Sequence, residues 1–170
     1  MIKEDLEKIV IYFLDSSTTM TLSCSLADEP WVCPVFYARQ GFDLVFFSSQ
    51  NSRHSTVFKE NSRAAASVHA ECDNWRNIKG LQMEGHVEII TKIPAVARAT
   101  VTYFRRYPFV RDFFSKGSSL SHDLRGKMGK VALYFFRPGT ILYLDNSSGL
   151  GSRWKLTICD GVAVGSPVPA

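Results

Sequence analysis

The 170-residue chain has no long apolar run, and no stretch approaches the roughly 20 residues that a membrane-spanning helix needs. Met1 to Glu7 is rich in charge and the apolar run behind it is short, so no secretory leader is expected and the chain reads as cytoplasmic. Cysteine is scarce: Cys24, Cys33, Cys72 and Cys159 make no C-x-x-C pair and no metal-like grouping with histidine. Cys24 and Cys33 lie in strand-like apolar runs, where a cysteine acts as a small hydrophobe, so a reduced protein without a metal site is expected. Basic runs are also missing. Arg105-Arg106 is the one adjacent basic pair in a chain of net charge +4, which leaves nucleic acid an unexpected partner. Neither G-x-S-x-G nor G-x-G-x-x-G occurs, so neither the hydrolase nucleophile elbow nor a Rossmann dinucleotide site is expected. His69, His86 and His122 have no carboxylate or cysteine at a spacing that implies a triad or a metal site. Internal repeats and low-complexity blocks are absent.

What remains is a globular pattern. Apolar residues make up 45% and aromatics 12%, enough to fill the core of one domain covering residues 1–170. Residues 3–14, within an N-terminal helical segment 1–15, carry Leu6, Ile9, Val10, Phe13 and Leu14 at helical spacing. Strands are expected at 18–26 and 31–38, the second holding Pro34 and therefore an edge strand or a bulged one. A further strand is expected at 63–70, and then a polar loop through Trp75. Residues 79–90 alternate on either side of Gly85, which marks a bulge or a close backbone approach. A helical insertion spans 91–115, with Thr91 as its cap and Pro94 in its first turn. Residues 115–130 read as irregular and polar, 131–136 and 140–144 as strands parted by a turn at Arg137-Pro138-Gly139, 154–159 as a last strand, and 161–170 as a loose tail.

The informative stretch is FDLVFFSSQNSRHSTVF, residues 42–58. Leu44, Val45, Phe46 and Phe47 form an apolar strand, and the chain then turns polar at Ser48, Ser49, Asn51, Ser52, Arg53 and His54. A strand buried in a core holds the turn at its end in place. That turn offers hydroxyls, a guanidinium fork and an imidazole, a set suited to a phosphate monoester. By composition alone, a serine-rich connecting turn is an equal reading. The glycine-rich segment Leu144-Asp145-Asn146-Ser147-Ser148-Gly149-Leu150-Gly151 reads by composition as a turn between the last strands, with glycines that permit close approach to a flat ligand.

Phe47-Ser48 followed by Ser52-Arg53-His54 resembles the flavin-binding turn of the pyridoxamine-phosphate-oxidase-like, FMN-binding split-barrel family. The oxidase proper has Lys where this chain has His54, so the charge contributed there depends on pH. Residues 145–151 resemble the D-N-x-x-G-F-G motif of a small subgroup, with Leu150 in place of its Phe, and Arg105-Arg106-Tyr107-Pro108 resembles that subgroup's Arg-aromatic-Pro segment.

The resemblance implies a mainly β fold, a six-stranded antiparallel split barrel that pairs as a homodimer with FMN in the grooves between subunits. It implies that Val35 and Phe36 back the isoalloxazine ring and that Phe47, Ser48, Ser49, Ser52, Arg53 and His54 form the phosphate turn. Lys79 and Gln82 would reach the ring's polar edge or the ribityl chain, and Asn146 and Gly151 would join from the glycine-rich loop. The function implied is an FMN-dependent oxidoreductase using a small-molecule substrate or an electron donor such as NAD(P)H, with the flavin supplying the chemistry and no side chain singled out as acid or base. A non-catalytic protein that carries or senses a flavin, haem or related planar cofactor is the alternative, and a barrel serving only as an interaction module is a third. The bland 161–170 segment lacks the arginine-rich substrate segment of the oxidase, which argues against pyridoxamine phosphate as substrate. Arg105 and Arg106 serve either an anionic substrate or the end of their own helix.

Overall fold

The computed structural model describes residues 3–114 and 131–170. The amphipathic N-terminal segment forms helix α1 (Lys3–Ser16), which buries Leu6, Val10 and Leu14 along one stripe. Strand β1 (Thr19–Leu26) reverses through Ala27 and Asp28, both at positive φ, into β2 (Glu29–Phe36). Among the described residues β2 pairs with β1 alone, and an edge is where a strand can hold Pro34, which has no N–H to donate. Short β3 (Ala38–Gln40) leads into β4 (Asp43–Ser49), and a tight turn then starts helix α2 (Arg53–Glu60). There follow β5 (Arg63–His69), β6 (Lys79–Ile89), helices α3 (Ile93–Arg106) and α4 (Pro108–Phe114), β7 (Val131–Asp145), β8 (Arg153–Cys159) and β9 (Val162–Pro169).

These strands make one antiparallel sheet in the order β2-β1-β5-β6-β7-β4-β3, with β8 and β9 branching from β7. β7 is the hub. Along one side it pairs with β6; along the other, residues 131–136 meet β4 and residues 140–144 meet β8. One strand therefore serves two stretches of sheet, and the sheet curls into a half-barrel around it. The curl is set where the β6–β7 register shifts: Glu84 faces Thr140 and Gly85 faces Pro138, so Gly139 is the extra residue of a bulge. Gly85 is required here by space, because a Cβ would overlap the carbonyl oxygen of Arg137.

Inside the curl, α1 packs with Leu22, Leu44, Phe46, Leu81, Phe136 and Ile141, among others, to form the main core. On the outer face of β4 and β7, helix α3 covers Val45, Leu133 and Phe135 with Ala99, Tyr103 and Tyr107. β4 is thus buried on both faces, which is why its sequence is a continuous apolar run and not an alternation. Among the described residues, no helix is long and apolar enough to cross a membrane, and no group of three or more His, Cys, Asp or Glu side chains is placed to hold a metal ion.

The structure departs from the sequence expectations at several points. Nine strands are present among the described residues where a six-stranded barrel was expected. The segments 131–136 and 140–144 are one strand, because the bulge takes up both the missing N–H of Pro138 and the extra Gly139. The tail expected to be loose is β9: Asp160 and Gly161, both at positive φ, make a two-residue hairpin turn that pairs Cys159 with Val162. The cap of α3 is Lys92 and not Thr91, and it makes no side-chain capping bond, although Pro94 does lie in the first turn. The polar stretch 115–130, with His122, and the first two residues of the N-terminal segment lie outside the described residues.

The bulge gives a paired test. Gly85→Ala is expected to lower stability by about 2–4 kcal/mol through backbone overlap. Gly139→Ala, whose Cβ would lie 4.0 Å from the Glu84 carbonyl, is expected to stay within about 0.5 kcal/mol of wild type. Urea denaturation of both variants checks this, and equal losses would contradict it.

Candidate functional site

β4 carries its side chains alternately to the two cores, and the alternation decides how its polar end is presented. Leu44 and Phe46 enter the main core, while Val45 and Phe47 face α3. Ser48 follows on the barrel side, just as the chain leaves the sheet. Ser52 then caps α2 in extended conformation (φ −68°, ψ 153°), its Oγ accepting from the Ser55 amide at 3.3 Å. The cap leaves the amides of Arg53 and His54, first in the helix, without an intrahelical acceptor.

The hydroxyls and the imidazole close into one cluster. His54 Nε2 lies 2.6 Å from Ser48 Oγ and 3.0 Å from Ser52 Oγ, the two hydroxyls are 3.2 Å apart, and Ser52 Oγ donates to Ser55 Oγ at 2.9 Å. His54 is only 8% exposed and Ser55 1%. Burial holds the imidazole below its ordinary value of 6.5, so the ring is neutral at neutral pH and its Nε2 can accept from the Ser48 hydroxyl. Arg53 turns the other way, to the β1–β2 hairpin. Its Nη2 donates to Glu29 Oε2 at 3.2 Å, and its guanidinium lies 4.5 Å from the centre of the Trp31 ring. Ser49 flanks the turn, its Oγ accepting from the Asn51 amide at 3.3 Å.

The other residues singled out in the sequence fall into two separate groups. Phe36, Tyr107, Tyr103 and Phe47 form a chain of ring contacts, with centroids 5.4, 4.9 and 4.8 Å apart in turn. Val35 packs against the main core. Lys79, Gln82, Asn146 and Gly151 gather toward the opposite end of β7, where Gln82 faces Leu142 and Lys79 faces Asp145, while Ser48 faces Ala132. There Lys79 Nζ lies 3.1 Å from Asp145 Oδ2, and Tyr143 donates its hydroxyl to the same oxygen at 3.0 Å. Burial opposes ionisation of Asp145, but hydrogen bonds from Ser147 and then Lys79 outweigh it and hold the carboxyl below its usual range. Gln82 Oε1 accepts from Arg153 Nε at 3.3 Å. Asn146 is buried and bonded at both ends of its amide: its Nδ2 donates to the Trp75 carbonyl at 2.8 Å, and its Oδ1 accepts from the Gly151 amide at 2.9 Å. Those bonds fold the glycine-rich loop onto the turn through Trp75.

Three features escaped sequence reasoning. Glu29 and Trp31, the partners of Arg53, come from a hairpin distant in sequence, and no local signal marks them. Ser55 was legible in principle, since it stands three residues after a capping serine. Arg106 caps a helix other than its own: it donates to the carbonyls of Leu14 and Asp15, each at 3.1 Å, and to that of Ser17, at the C-terminus of α1. Beside Phe47, a cleft of about 520 Å³ opens between α3 and the sheet, lined by apolar residues including Ile89, Val96, Phe104 and Leu133.

No protein-family model matches the chain. Its sequence is 27% identical over 105 residues to a UPF0306 protein of Haemophilus ducreyi, covering 58% of this chain and 70% of that one. It is 23% identical over 147 residues to a UPF0306 protein of Klebsiella pneumoniae, covering 84% and 88%. Solved structures resemble it more broadly. A haem binding protein from Mycobacterium smegmatis matches 85% of the chain at a TM-score of 0.63 and 16% identity, the chain spanning 55% of that protein's length. A provisional pyridoxamine 5'-phosphate oxidase from Listeria innocua matches 82% of the chain and 98% of its own, with TM-score 0.63 and 12% identity. A FAD-binding protein from Mesorhizobium loti matches 79% and 90%, with TM-score 0.61 and 15% identity. These likenesses establish the fold as the mainly β, pyridoxamine-phosphate-oxidase-like split barrel.

Asn146→Ala is expected to cost about 1–3 kcal/mol, because it strips the Trp75 carbonyl and the Gly151 amide of their partner. Faster hydrogen exchange at the Gly151 amide should accompany the loss. Unchanged stability and exchange would show that the loop does not depend on this side chain.

Proposed function

We propose that the chain binds a flavin, with the phosphate of FMN on the turn between β4 and α2, and works as an FMN-dependent oxidoreductase. The observation that carries this reading is the convergence of Ser48, Ser52, His54 and the capped N-terminus of α2 at the end of a doubly buried strand. The donor set fits a phosphate: hydroxyls, helix amides with a favourable dipole, and the Arg53 guanidinium within one side chain's reach. When bound, FMN would supply the hydride or electron transfer. The chain's own residues hold the phosphate and shape the surroundings of the ring, and none is assigned as acid or base.

On this reading Val35 and Phe36 back the ring, and Lys79 and Gln82 address its polar edge, as do Asn146 and Gly151 of the loop resembling the subgroup motif. Separation of these groups along β7, Ser48 facing Ala132 and Lys79 facing Asp145, supports a site completed by a second copy of the chain. An NAD(P)H donor and a small-molecule acceptor complete the proposal. The second reading is a carrier of haem or another planar cofactor, which the likeness to the Mycobacterium smegmatis haem binding protein supports.

Arg53→Ala removes a charge-assisted phosphate contact and is expected to weaken FMN binding by about 1.5–3 kcal/mol. Glu29→Gln frees Arg53 from its exposed partner and is expected to tighten binding by up to about 1 kcal/mol. Riboflavin, which lacks the phosphate, should show neither effect. Fluorescence titration measures all of these, and an Arg53→Ala protein with wild-type affinity for FMN would remove the phosphate from this turn.

A further inference from the structure

The charges around the turn do not match a doubly charged ligand. Among the described residues, Arg53 is the cation on this turn, and Glu29 pairs with it at 3.2 Å. His54 is neutral and buried, its Nε2 accepting from Ser48 with Ser52 Oγ 3.0 Å away. Among the described residues, the strands packed against α2 offer no compensating positive charge. On β1, Cys24 is a thiol that burial pushes further from ionisation; on β2, Cys33 is pushed up by burial to about 11, and Glu29 is an anion. β4 contributes the hydroxyls of Ser48 and Ser49, and on α2 itself Lys59 and Glu60 are exposed at the far end of the helix. A phosphate dianion seated here therefore adds two negative charges beside Arg53 and Glu29, whose own charges cancel.

We propose that this site takes up a proton from solvent when it binds a phosphate monoester dianion, and that the proton resides on His54. This inference rests on the assignment of the phosphate to the β4–α2 turn. The geometry allows the change without movement of the backbone. In the free protein, Nε2 accepts from Ser48; once the ring is protonated both nitrogens donate, and Ser48 reverses its hydroxyl to accept from Nε2 and donate to the phosphate. Because burial alone holds His54 below its ordinary value in the free protein, the bound anion is the partner that raises it. The sign follows from linkage. Between the lower value of the free protein and the higher value of the complex, binding consumes a proton, so affinity falls as pH rises, by up to tenfold per pH unit. A lysine at this position, fixed in charge across the same range, would lack this coupling.

Isothermal titration of the folded full chain with FMN, at pH 7.5 in buffers of different ionisation enthalpy, reads the proton count directly. Uptake of up to one proton per FMN is expected, together with a dissociation constant that rises with pH; riboflavin should bind with no uptake. His54→Lys should bind FMN with a dissociation constant that is flat over the same range. His54→Gln should abolish the uptake, which separates protonation of the imidazole from protonation of the phosphate itself. If the glutamine variant does not fold, a ring-proton NMR titration of the wild-type histidines with and without FMN reports the same shift. FMN binding without proton uptake, or uptake that persists in His54→Gln, would overturn the proposal and leave the phosphate assignment intact. A folded protein that binds no FMN at any pH would overturn both.

Discussion

The close approach of β6 and β7 at Gly85 is the constraint on which the rest of this structure depends. It lets a fifteen-residue strand bend at Pro138-Gly139 without losing its partner, so that β7 can pair with β4 before the bend and with β8 after it. Without that bend the sheet would stay open, and α1 would have no concave face to fill with Leu6, Val10 and Leu14. The same bend divides the two polar regions of the chain, placing the Ser48 turn at one end of β7 and the Lys79–Asp145 pair at the other.

The site inherits its order from this frame. β4 is pinned between the barrel core and α3, so the turn that follows has little freedom, and Ser52 uses that fixed exit to cap α2. What results is a cluster of hydroxyls around a neutral imidazole, with a guanidinium held aside by Glu29 and Trp31. A phosphate needs donors more than it needs bulk, and this turn supplies them from side chains and helix amides together. Arg53 is balanced by Glu29, and burial keeps His54 neutral beside them.

Much of the fold was legible because its signals are local. Helical spacing marked α1, Pro34 marked β2 as an edge, and the alternation across Gly85 marked both β6 and its bulge. The strand-to-turn change at Phe47-Ser48 pointed to the region that the structure builds into a hydrogen-bonded cluster. Features that depend on distant partners were not legible. The continuity of β7 through Pro138 is set by β6, the pairing of β9 by the turn at Asp160-Gly161, and the anchoring of Arg53 by a hairpin more than twenty residues earlier. Asn146 illustrates the same limit: its type and its neighbours mark a turn, but only the fold shows that its side chain ties that turn to the segment through Trp75.

The central claim is that this barrel holds a flavin. It is tested most directly by the visible absorption spectrum of the purified, folded protein after incubation with excess FMN and removal of whatever does not bind. The account predicts a retained flavin band in stoichiometric amount. A folded protein whose spectrum shows no flavin after that treatment would contradict it.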